Sequence, residues 1–243
     1  MVEKMQIQEK IYNIIKASPG HIIGFAKMHG LLDAKLQKYK YAISIGKRLD
    51  DLIIDSIANG PISEYNELYR ETNAKLEMQL DRIGQVLETA SIGYKTVKPT
   101  LQKNELDEEY ENTLRTEFSH KFAATQAGIG WIGKTDLLIS KEYGPRLRLS
   151  TILVENGDFE FKTGTPIIES ECGNCTICVS NCPAQAANGK KWSIGTDRDE
   201  FYDAFKCREK CRELAKRNLQ SDMSLCGICI SVCPIGKKAR ERS

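Results

Sequence analysis

The spacing of its cysteines constrains this chain more than any other feature of the sequence. All nine cysteines lie between residues 172 and 233, and the first 171 residues contain none. Four of them follow the pattern C-x2-C-x2-C-x3-C-P, at Cys172, Cys175, Cys178 and Cys182. The first three thiolates of such a run can wrap one [4Fe–4S] cubane, and the fourth ligates the other cluster in two-cluster ferredoxins. The run therefore predicts a ferredoxin-like module.

A second, incomplete copy of the run follows. It consists of Cys226, Cys229 and Cys233 with a proline at 234, and it lacks the first cysteine. In two-cluster ferredoxins the last cysteine of each copy binds the cluster that the other copy holds. Cys233 then completes the cluster of the first copy, and Cys182 joins Cys226 and Cys229 on the second cluster.

One corner of the second cluster is left for a cysteine from the segment between the two copies. Cys207 and Cys211 both lie in a predicted helix over Asp199–Leu219, one turn apart on the same face. Either thiol could reach the same place. We predict Cys207 as the eighth ligand, and Cys211 is the alternative.

Other uses of the cysteines fit the spacing less well. A disulfide scaffold requires an oxidising compartment and usually an even number of cysteines. Zinc sites usually pair two C-x2-C knuckles across a longer spacer. A single cluster with spectator cysteines is a further alternative. Two runs that each end in Cys-Pro favour two clusters, and clusters this close can exchange electrons.

Charge and hydropathy argue against two classes of protein, dedicated nucleic-acid binders and membrane-spanning proteins. The net charge is +2, with 35 basic and 33 acidic residues, which argues against a dedicated nucleic-acid binder. Apolar runs are too short for a bilayer span, and the N-terminus lacks the apolar block of a signal peptide. We expect a soluble, cytoplasmic protein without a membrane partner.

The N-terminal part alternates helical and strand patterns. Helices are predicted around Ile7–Ile15, from Ile62 to Leu87 and over Ser119–Ala127, and the acidic stretch 104–117 predicts a solvated helix or loop. Strands are predicted at Gly20–Met28, Tyr41–Ile45, around Val97, and at Asp136–Ser140 and Leu147–Val154. This mixture indicates an α/β (α+β) domain, which we place at residues 1–160, before the ferredoxin-like domain at 161–243.

Two details of that division are further expectations. We place the domain boundary near Asn156–Thr165, where glycine and polar residues are concentrated. The last two predicted strands are joined across Lys141–Pro145, and Tyr143 and Arg146 are expected to be exposed in this hairpin. Lining of a pocket is the alternative for these two side chains.

The segment from Gly128 to Thr135 fits both G-x-G-x-x-G and G-x-x-x-x-G-K-T. A dinucleotide fingerprint or a phosphate loop leaves a strand and opens a helix, so that helix-terminal N–H groups face the phosphates. Here a predicted helix comes first and a predicted strand follows, which argues against nucleotide binding. Three glycines within six residues instead let the backbone approach a neighbour, either a ligand or packed protein.

With these motifs in view, the chain resembles the epoxyqueuosine reductase family and its shorter relatives. The resemblance covers nearly the whole chain and is strongest from Ser119 to Pro234, which includes ECGNCTICVSNCP and CGICISVCP. It implies a corrinoid-binding α/β domain before a two-cluster ferredoxin-like domain, with a low-potential protein as electron donor. In this arrangement the clusters pass electrons to cobalt for a reductive elimination. The reductive dehalogenases are similar at a greater distance.

The resemblance also implies site residues. It places residues 127–134 beside the corrinoid. The residues expected to contact this cofactor are Gly128, Gly130, Trp131, Gly133 and Lys134. For Trp131, packing in the core is the alternative. Members that modify tRNA use an acidic proton donor before the glycine-rich segment. His120 is the substitute at that place in this sequence, and a helix-packing histidine is the alternative.

Three functions follow as expectations. The first is an iron–sulfur oxidoreductase that relays electrons through two [4Fe–4S] clusters to a corrinoid (cobalamin-like) cofactor, acting on an unknown substrate. The second is a ferredoxin-type electron carrier without corrinoid. The third is a tRNA epoxyqueuosine reductase, which the short chain and the altered acid position make less favoured.

Overall fold

The structure, a computed structural model, describes residues 2–155 and 160–240. Its helices are α1 Val2–Lys16, α2 Asp51–Ser56, α3 Ser63–Thr89, α4 Glu108–Thr113, α5 His120–Gln126, α6 Ile177–Ser180, α7 Ala204–Leu219, α8 Ile228–Val232 and α9 Pro234–Arg240. Its strands are β1 His21–Lys27, β2 Tyr39–Arg48, β3 Tyr94–Val97, β4 Gly130–Ile132, β5 Leu138–Ser140 and β6 Leu147–Glu155. Short 3-10 helices lie at Ala34–Leu36, Lys103–Glu105 and Arg198–Glu200.

A four-stranded antiparallel sheet forms the centre of the N-terminal part, in the order β1-β2-β6-β3. Ile43 in β2 lies opposite Phe25 of β1 and Ile152 of β6. Since successive side chains of a strand point to opposite faces, these three apolar residues cover one face of the sheet. The two central strands, β2 and β6, contain the strands predicted at Tyr41–Ile45 and Leu147–Val154.

Helices cover both faces of this sheet. On one face, Ile11 of α1 and Leu76 and Ile83 of α3 pack against Ile43 and Ile152. The apolar residues of α3 recur at helical spacing along 27 residues, which turns one continuous stripe toward the sheet. On the other face, alanines of α5 pack against Ala42 and Leu153. The predicted mixed helix-and-sheet fold is therefore present, with two helical layers around one sheet.

The predicted hairpin across Lys141–Pro145 is wrong. β5 pairs with β4, a strand formed by the glycine-rich segment itself, whereas β6 enters the central sheet between β2 and β3. The predicted helix over Asp199–Leu219 is shorter in the structure. It begins at Ala204, after Asp203 caps it by accepting a hydrogen bond from the Lys206 N–H.

The C-terminal part consists mostly of loops and short helices around the cysteines. It packs against the N-terminal part through Leu225 and Ile230, which join Ile54, Ile57 and Tyr65 in one apolar cluster. The predicted boundary at Asn156–Thr165 begins outside the described residues, so the division at residue 160 stays a prediction. In the part of the chain that the structure describes, no helix is both long and apolar enough to cross a bilayer.

The glycine at position 130 provides a test of the β4–β5 pairing. A Cβ atom there would lie 2.0 Å from the carbonyl oxygen of Ile139. We expect Gly130→Ala to lower the free energy of unfolding by about 1–3 kcal/mol or more, since backbone atoms would have to move. Urea unfolding under anaerobic conditions measures this loss.

The matched control is Gly195→Ala, where an added Cβ meets no atom within 4 Å. Its effect should stay within about 0.5 kcal/mol. Equal midpoints for the two variants would contradict the close approach of β4 and β5.

Candidate metal centre and adjoining cavity

The first cysteine run forms a tight exposed loop followed by α6. The N–H of Cys175 donates to the carbonyl of Cys172, and Gly173 adopts a positive φ of 55°, which a glycine tolerates without strain. Cys175 itself is exposed, whereas Cys172 and Cys178 are half-buried. The backbone thus turns on itself between the three thiols, as the C-x2-C-x2-C spacing predicts.

The thiols of the two runs are interleaved. Burial raises the pKa of Cys233 to about 11, and the charged neighbours that add to this rise are Cys178 and Cys172. Cys233 therefore lies with the first run. Burial also raises the pKa of Cys229, and the neighbours that add to this rise are Cys226, Cys207, Cys178 and Cys182. Cys229 therefore lies near thiols of both runs, and its place in the exchanged pairing stays a prediction.

Both candidate thiols for the last corner lie at the second group. The Sγ atoms of Cys207 and Cys211 are 3.8 Å apart, and Cys211 also hydrogen-bonds Cys226. The hydroxyl of Tyr202 hydrogen-bonds Cys207. The structure therefore brings all nine predicted or alternative ligands into two neighbouring groups.

The chemistry of this donor set suits iron–sulfur clusters. Buried sulfurs that raise one another's pKa become thiolates when bound cations offset their charge, which couples metal binding to folding. In a [4Fe–4S] cubane each thiolate binds a different iron atom, so the cysteine sulfurs lie farther apart than the ligands of a single metal ion. Among the described residues, no three His, Cys, Asp or Glu side chains converge closely enough for a single ion.

The glycine-rich segment supports the first cysteine loop. The indole Nε1–H of Trp131 donates to the Sγ of Cys172 at 3.3 Å, and Lys134 Nζ donates to the carbonyl of Cys175 at 2.9 Å. Trp131 and Lys134 are both buried. A Cβ atom at Gly133 would meet Ile139 and approach Cys172, so the glycine lets this strand lie against the loop.

Each of the other two glycines meets protein backbone. Gly128 ends α5 in a Schellman motif: its own N–H donates to Thr125, the next N–H donates to Ala124, and its φ is 71°. Gly130 lies directly against Ile139 of β5. Protein atoms thus lie beside these residues, and contact of Gly128, Gly130, Trp131, Gly133 and Lys134 with a corrinoid stays a prediction.

Arg146 ties the N-terminal part to the second cysteine run. Contrary to the expectation of an exposed hairpin residue, it is fully buried and forms ion pairs with Asp51 and Asp55 of α2, at 3.1 and 2.5 Å. Its guanidinium also donates to the carbonyl of Ser231 in α8. Tyr143 is half-buried, with its ring 5.1 Å from the guanidinium carbon of Arg48. Neither residue lies at the cavity described next.

A cavity of about 1210 Å³ reaches Ala204 at the start of α7, three residues before Cys207. Residues of both parts of the chain line it, including Leu36, Phe118, Ile132, Trp192 and Phe201. Most small-molecule sites have volumes of roughly 300–1,000 Å³, so this cavity suits a large ligand. Its polar wall includes Lys121, whose ammonium donates to Asp136 Oδ2 at 2.5 Å.

The ion pair of Lys121 and Asp136 was not found from the sequence. It joins the first turn of α5 to the turn between β4 and β5, 15 residues apart. Asp136 takes a positive φ of 58°, which directs its carboxylate and carbonyl toward the lysine. The only available signal was the position of Lys121 next to His120.

His120 also lines the cavity, and its ring is held by the protein. Nε2 donates to the carbonyl of Lys98 at 2.9 Å, so Nδ1 is left to accept from the hydroxyl of Thr151 at 2.8 Å. Burial lowers the pKa of His120 to about 4, despite the carbonyl partner. The ring is therefore neutral at pH 7 with both nitrogens paired, which favours the helix-packing alternative over a proton donor.

The lowered pKa of His120 predicts a pH-dependent stability. An unfolded histidine titrates near 6.5, so the unfolded chain takes up a proton before the folded chain does as the pH falls. The stability that neutral His120 contributes is complete above pH 6.5 and is lost between 6.5 and about 4. Between pH 7 and pH 5, His120→Asn should lose about 1–2 kcal/mol less unfolding free energy than the parent chain.

Anaerobic urea unfolding at the two pH values measures this difference. The control is His29→Asn at an exposed histidine, which should keep the pH dependence of the parent. A His120→Asn variant with the parental pH dependence would show that the ring titrates normally in the folded protein.

Comparisons with known proteins agree with this architecture. Residues 171–236 match the family described as 4Fe-4S double cluster binding domain. This match identifies the cofactor as two [4Fe–4S] clusters and removes the zinc and single-cluster alternatives. Over 114 residues, 47% of this chain, it is 36% identical to an epoxyqueuosine reductase of Lactococcus garvieae. Over 112 residues, 46% of the chain, it is 35% identical to the Synechocystis enzyme of the same name.

The chain is similar to epoxyqueuosine reductases over about half of its length. The aligned segments span 31% and 37% of the two relatives' own lengths. The family resemblance drawn from the glycine-rich segment and the two cysteine runs is thereby confirmed.

Solved structures show that this epoxyqueuosine reductase-like chain shares its fold with two kinds of enzyme. Epoxyqueuosine reductase from Bacillus subtilis superposes with a TM-score of 0.61 at 19% identity, over 96% of this chain and 66% of the other. A reductive dehalogenase, described in connection with B12-dependent dehalogenation, gives 0.64 at 15% identity, over 96% and 33%. At these identities the likeness concerns the fold alone.

Proposed function

We propose that this chain is an iron–sulfur reductase in which two [4Fe–4S] clusters relay electrons to a corrinoid-like cofactor for a reductive reaction on a substrate not yet identified. The observation that carries the proposal is the position of the large cavity. Ala204 lines the cavity, and Cys207 follows three residues later on the same helix, within one turn. A ligand in the cavity would therefore adjoin the second cluster.

The cysteines divide between the two clusters as their neighbours indicate. Cys172, Cys175, Cys178 and Cys233 hold the first cluster. Cys182, Cys226, Cys229 and Cys207 hold the second. Trp131 directs its indole N–H at a sulfur of the first cluster, and such hydrogen bonds are among the factors that set cluster potentials.

Electrons enter through the first cluster in this proposal. Cys175 is exposed, and so are its neighbours Asn174, Thr176 and Ile177. A low-potential electron-donor protein can approach this loop closely, whereas the cavity reaches Ala204, within one turn of Cys207. The loop and the cavity would then be the two ends of one electron path.

The cavity fits a large, partly apolar cofactor. Its size exceeds that of an ordinary small-molecule site, and its wall combines aromatic and aliphatic side chains with a few polar groups. When bound, a corrinoid supplies a cobalt centre that accepts single electrons and supports reductive bond cleavage. His120 cannot offer a free ring nitrogen to a ligand, because both nitrogens are hydrogen-bonded to the protein.

Proton supply falls to other residues of the cavity wall. Lys121 brings ammonium N–H groups to the cavity and is held there by Asp136. Glu117 lies in the segment before α5 and also lines the cavity, with its carboxylate 2.5 Å from Lys95 Nζ. We therefore assign His120 a positioning role, fixing the start of α5, and place the exchangeable protons on the Lys121 ammonium.

Cobalamin binding tests the proposal. Protein reconstituted anaerobically with iron and sulfide should change the visible and EPR spectra of cob(II)alamin at about one equivalent per chain. Ala204→Trp, which fills the cavity, should weaken this binding about tenfold or more. Glu213→Trp, on the exposed side of α7, is the matched control and should leave it unchanged. Unaltered spectra in the parent protein would favour an electron carrier without corrinoid.

Epoxyqueuosine reduction in tRNA is the second candidate function. It is favoured by the names of the relatives and by the shared fold of an epoxyqueuosine reductase that was solved with a modified tRNA stem loop. The rim of the cavity counts against it. The short helix α4 carries Glu108, Glu109 and Glu111, and it lies where a polyanion would approach.

We therefore expect weak or no binding of a tRNA anticodon stem loop at 50 mM salt. The double variant Glu108→Lys with Glu109→Lys should increase RNA binding without sequence preference, because it removes the repulsion. Fluorescence anisotropy measures both. Tight binding by the parent chain that falls steeply with salt would establish RNA as the partner and displace this expectation.

A further inference from the structure

Nine thiols surround eight ligand positions, and the structure shows where the extra thiol lies. Cys207 and Cys211 are four residues apart in α7, so their side chains share one face of the helix. Their Sγ atoms are 3.8 Å apart, and both residues are half-buried. The extra thiol is therefore beside the second cluster site and does not point into solvent.

Both thiols also have independent contacts with that site. Cys211 hydrogen-bonds Cys226, a ligand from the second cysteine run. Cys207 is a close neighbour of Cys229, the other ligand of that run. Two sulfurs one helical turn apart thus face the same corner of the same cluster.

The backbone that carries the two cysteines is held in place. Asp203 caps the N-terminus of α7, and Leu214 and Ala215 are buried in the next turn after Cys211. An exchange between the two sulfurs would need rotations of cysteine side chains and no movement of the helix. A cysteine side chain has a single heavy-atom torsion, χ1, so each rotation moves only the sulfur among the heavy atoms.

We propose that Cys207 and Cys211 are alternative ligands for one iron of the second cluster, so that either thiolate alone can complete it. In the exchange, a bond from iron to one sulfur breaks and a bond to the other forms. The incoming thiol gives up its proton and the departing thiolate takes one up, and no electrons are transferred. The proposal rests on the assignment of Cys182, Cys226 and Cys229 to the second cluster.

Single and double substitutions distinguish shared from exclusive ligation. Alanine is used because a serine oxygen could itself bind iron. Cys207→Ala and Cys211→Ala should each retain about eight iron atoms per chain after anaerobic reconstitution, and the double variant about four. Iron and acid-labile sulfide analysis gives these values. EPR of the reduced proteins should show a changed second-cluster signal in one single variant and an unchanged first-cluster signal in all of them.

Any other pattern overturns the proposal. Loss of half the iron in only one single variant identifies that cysteine as the exclusive ligand, and loss in both shows that both are required. Full iron content in the double variant shows that neither is a ligand. The first-cluster EPR signal reports that each variant has folded.

Cys229→Ala is the positive control for the ligand assignment, and it should also lose half of the iron. If Cys229→Ala keeps both clusters, the assignment itself fails. This result is distinguishable from failure of the reductase proposal, because none of these measurements involves a corrinoid or a substrate.

Discussion

Nine thiols packed into one end of the chain are the constraint around which the rest of the structure is arranged. Burial raises the pKa of Cys229 and of Cys233, so these two sulfurs resist ionisation. Bound iron relieves this cost, since thiolates are stable beside a cation. The two runs are interleaved, so neither cluster can form within one run alone. Cluster assembly therefore closes the loop between residues 182 and 226 as well as filling the two sites.

The N-terminal part acts as a support for these loops. The glycine-rich segment carries Trp131 and Lys134 to the first loop, and Arg146 links α2 to α8 beside the second. A buried arginine with two carboxylate partners is costly to disrupt, because loss of either side leaves an uncompensated charge. The cluster sites are thus held by side chains that come from a separate part of the sequence. The cavity is lined by both parts of the chain and reaches Ala204, three residues before Cys207 in α7.

Much of the local structure was predictable for physical reasons. The stripe of apolar residues along α3 and the apolar runs of β1 and β2 correspond to the two side-chain periodicities of helix and strand. The strand β4 was not predictable, since a segment with three glycines in six residues, Gly128 to Gly133, has weak strand preference. It forms because Gly130 permits β5 to approach closely. Because β4 was not predicted, the sequence paired β5 with β6 in a hairpin and predicted that Arg146 would be exposed.

The cysteine spacing by itself determined the kind of cofactor, because a C-x2-C-x2-C loop is a local structure that short-range geometry dictates. Tertiary structure alone decided what surrounds that centre. Trp131 and the glycines beside it pack against the first cysteine loop. Both ring nitrogens of His120 are hydrogen-bonded to the protein, and Lys121 forms an ion pair with Asp136. Tertiary structure also placed both Cys207 and Cys211 at one site. These contacts depend on how distant segments pack, which no spacing along the chain encodes.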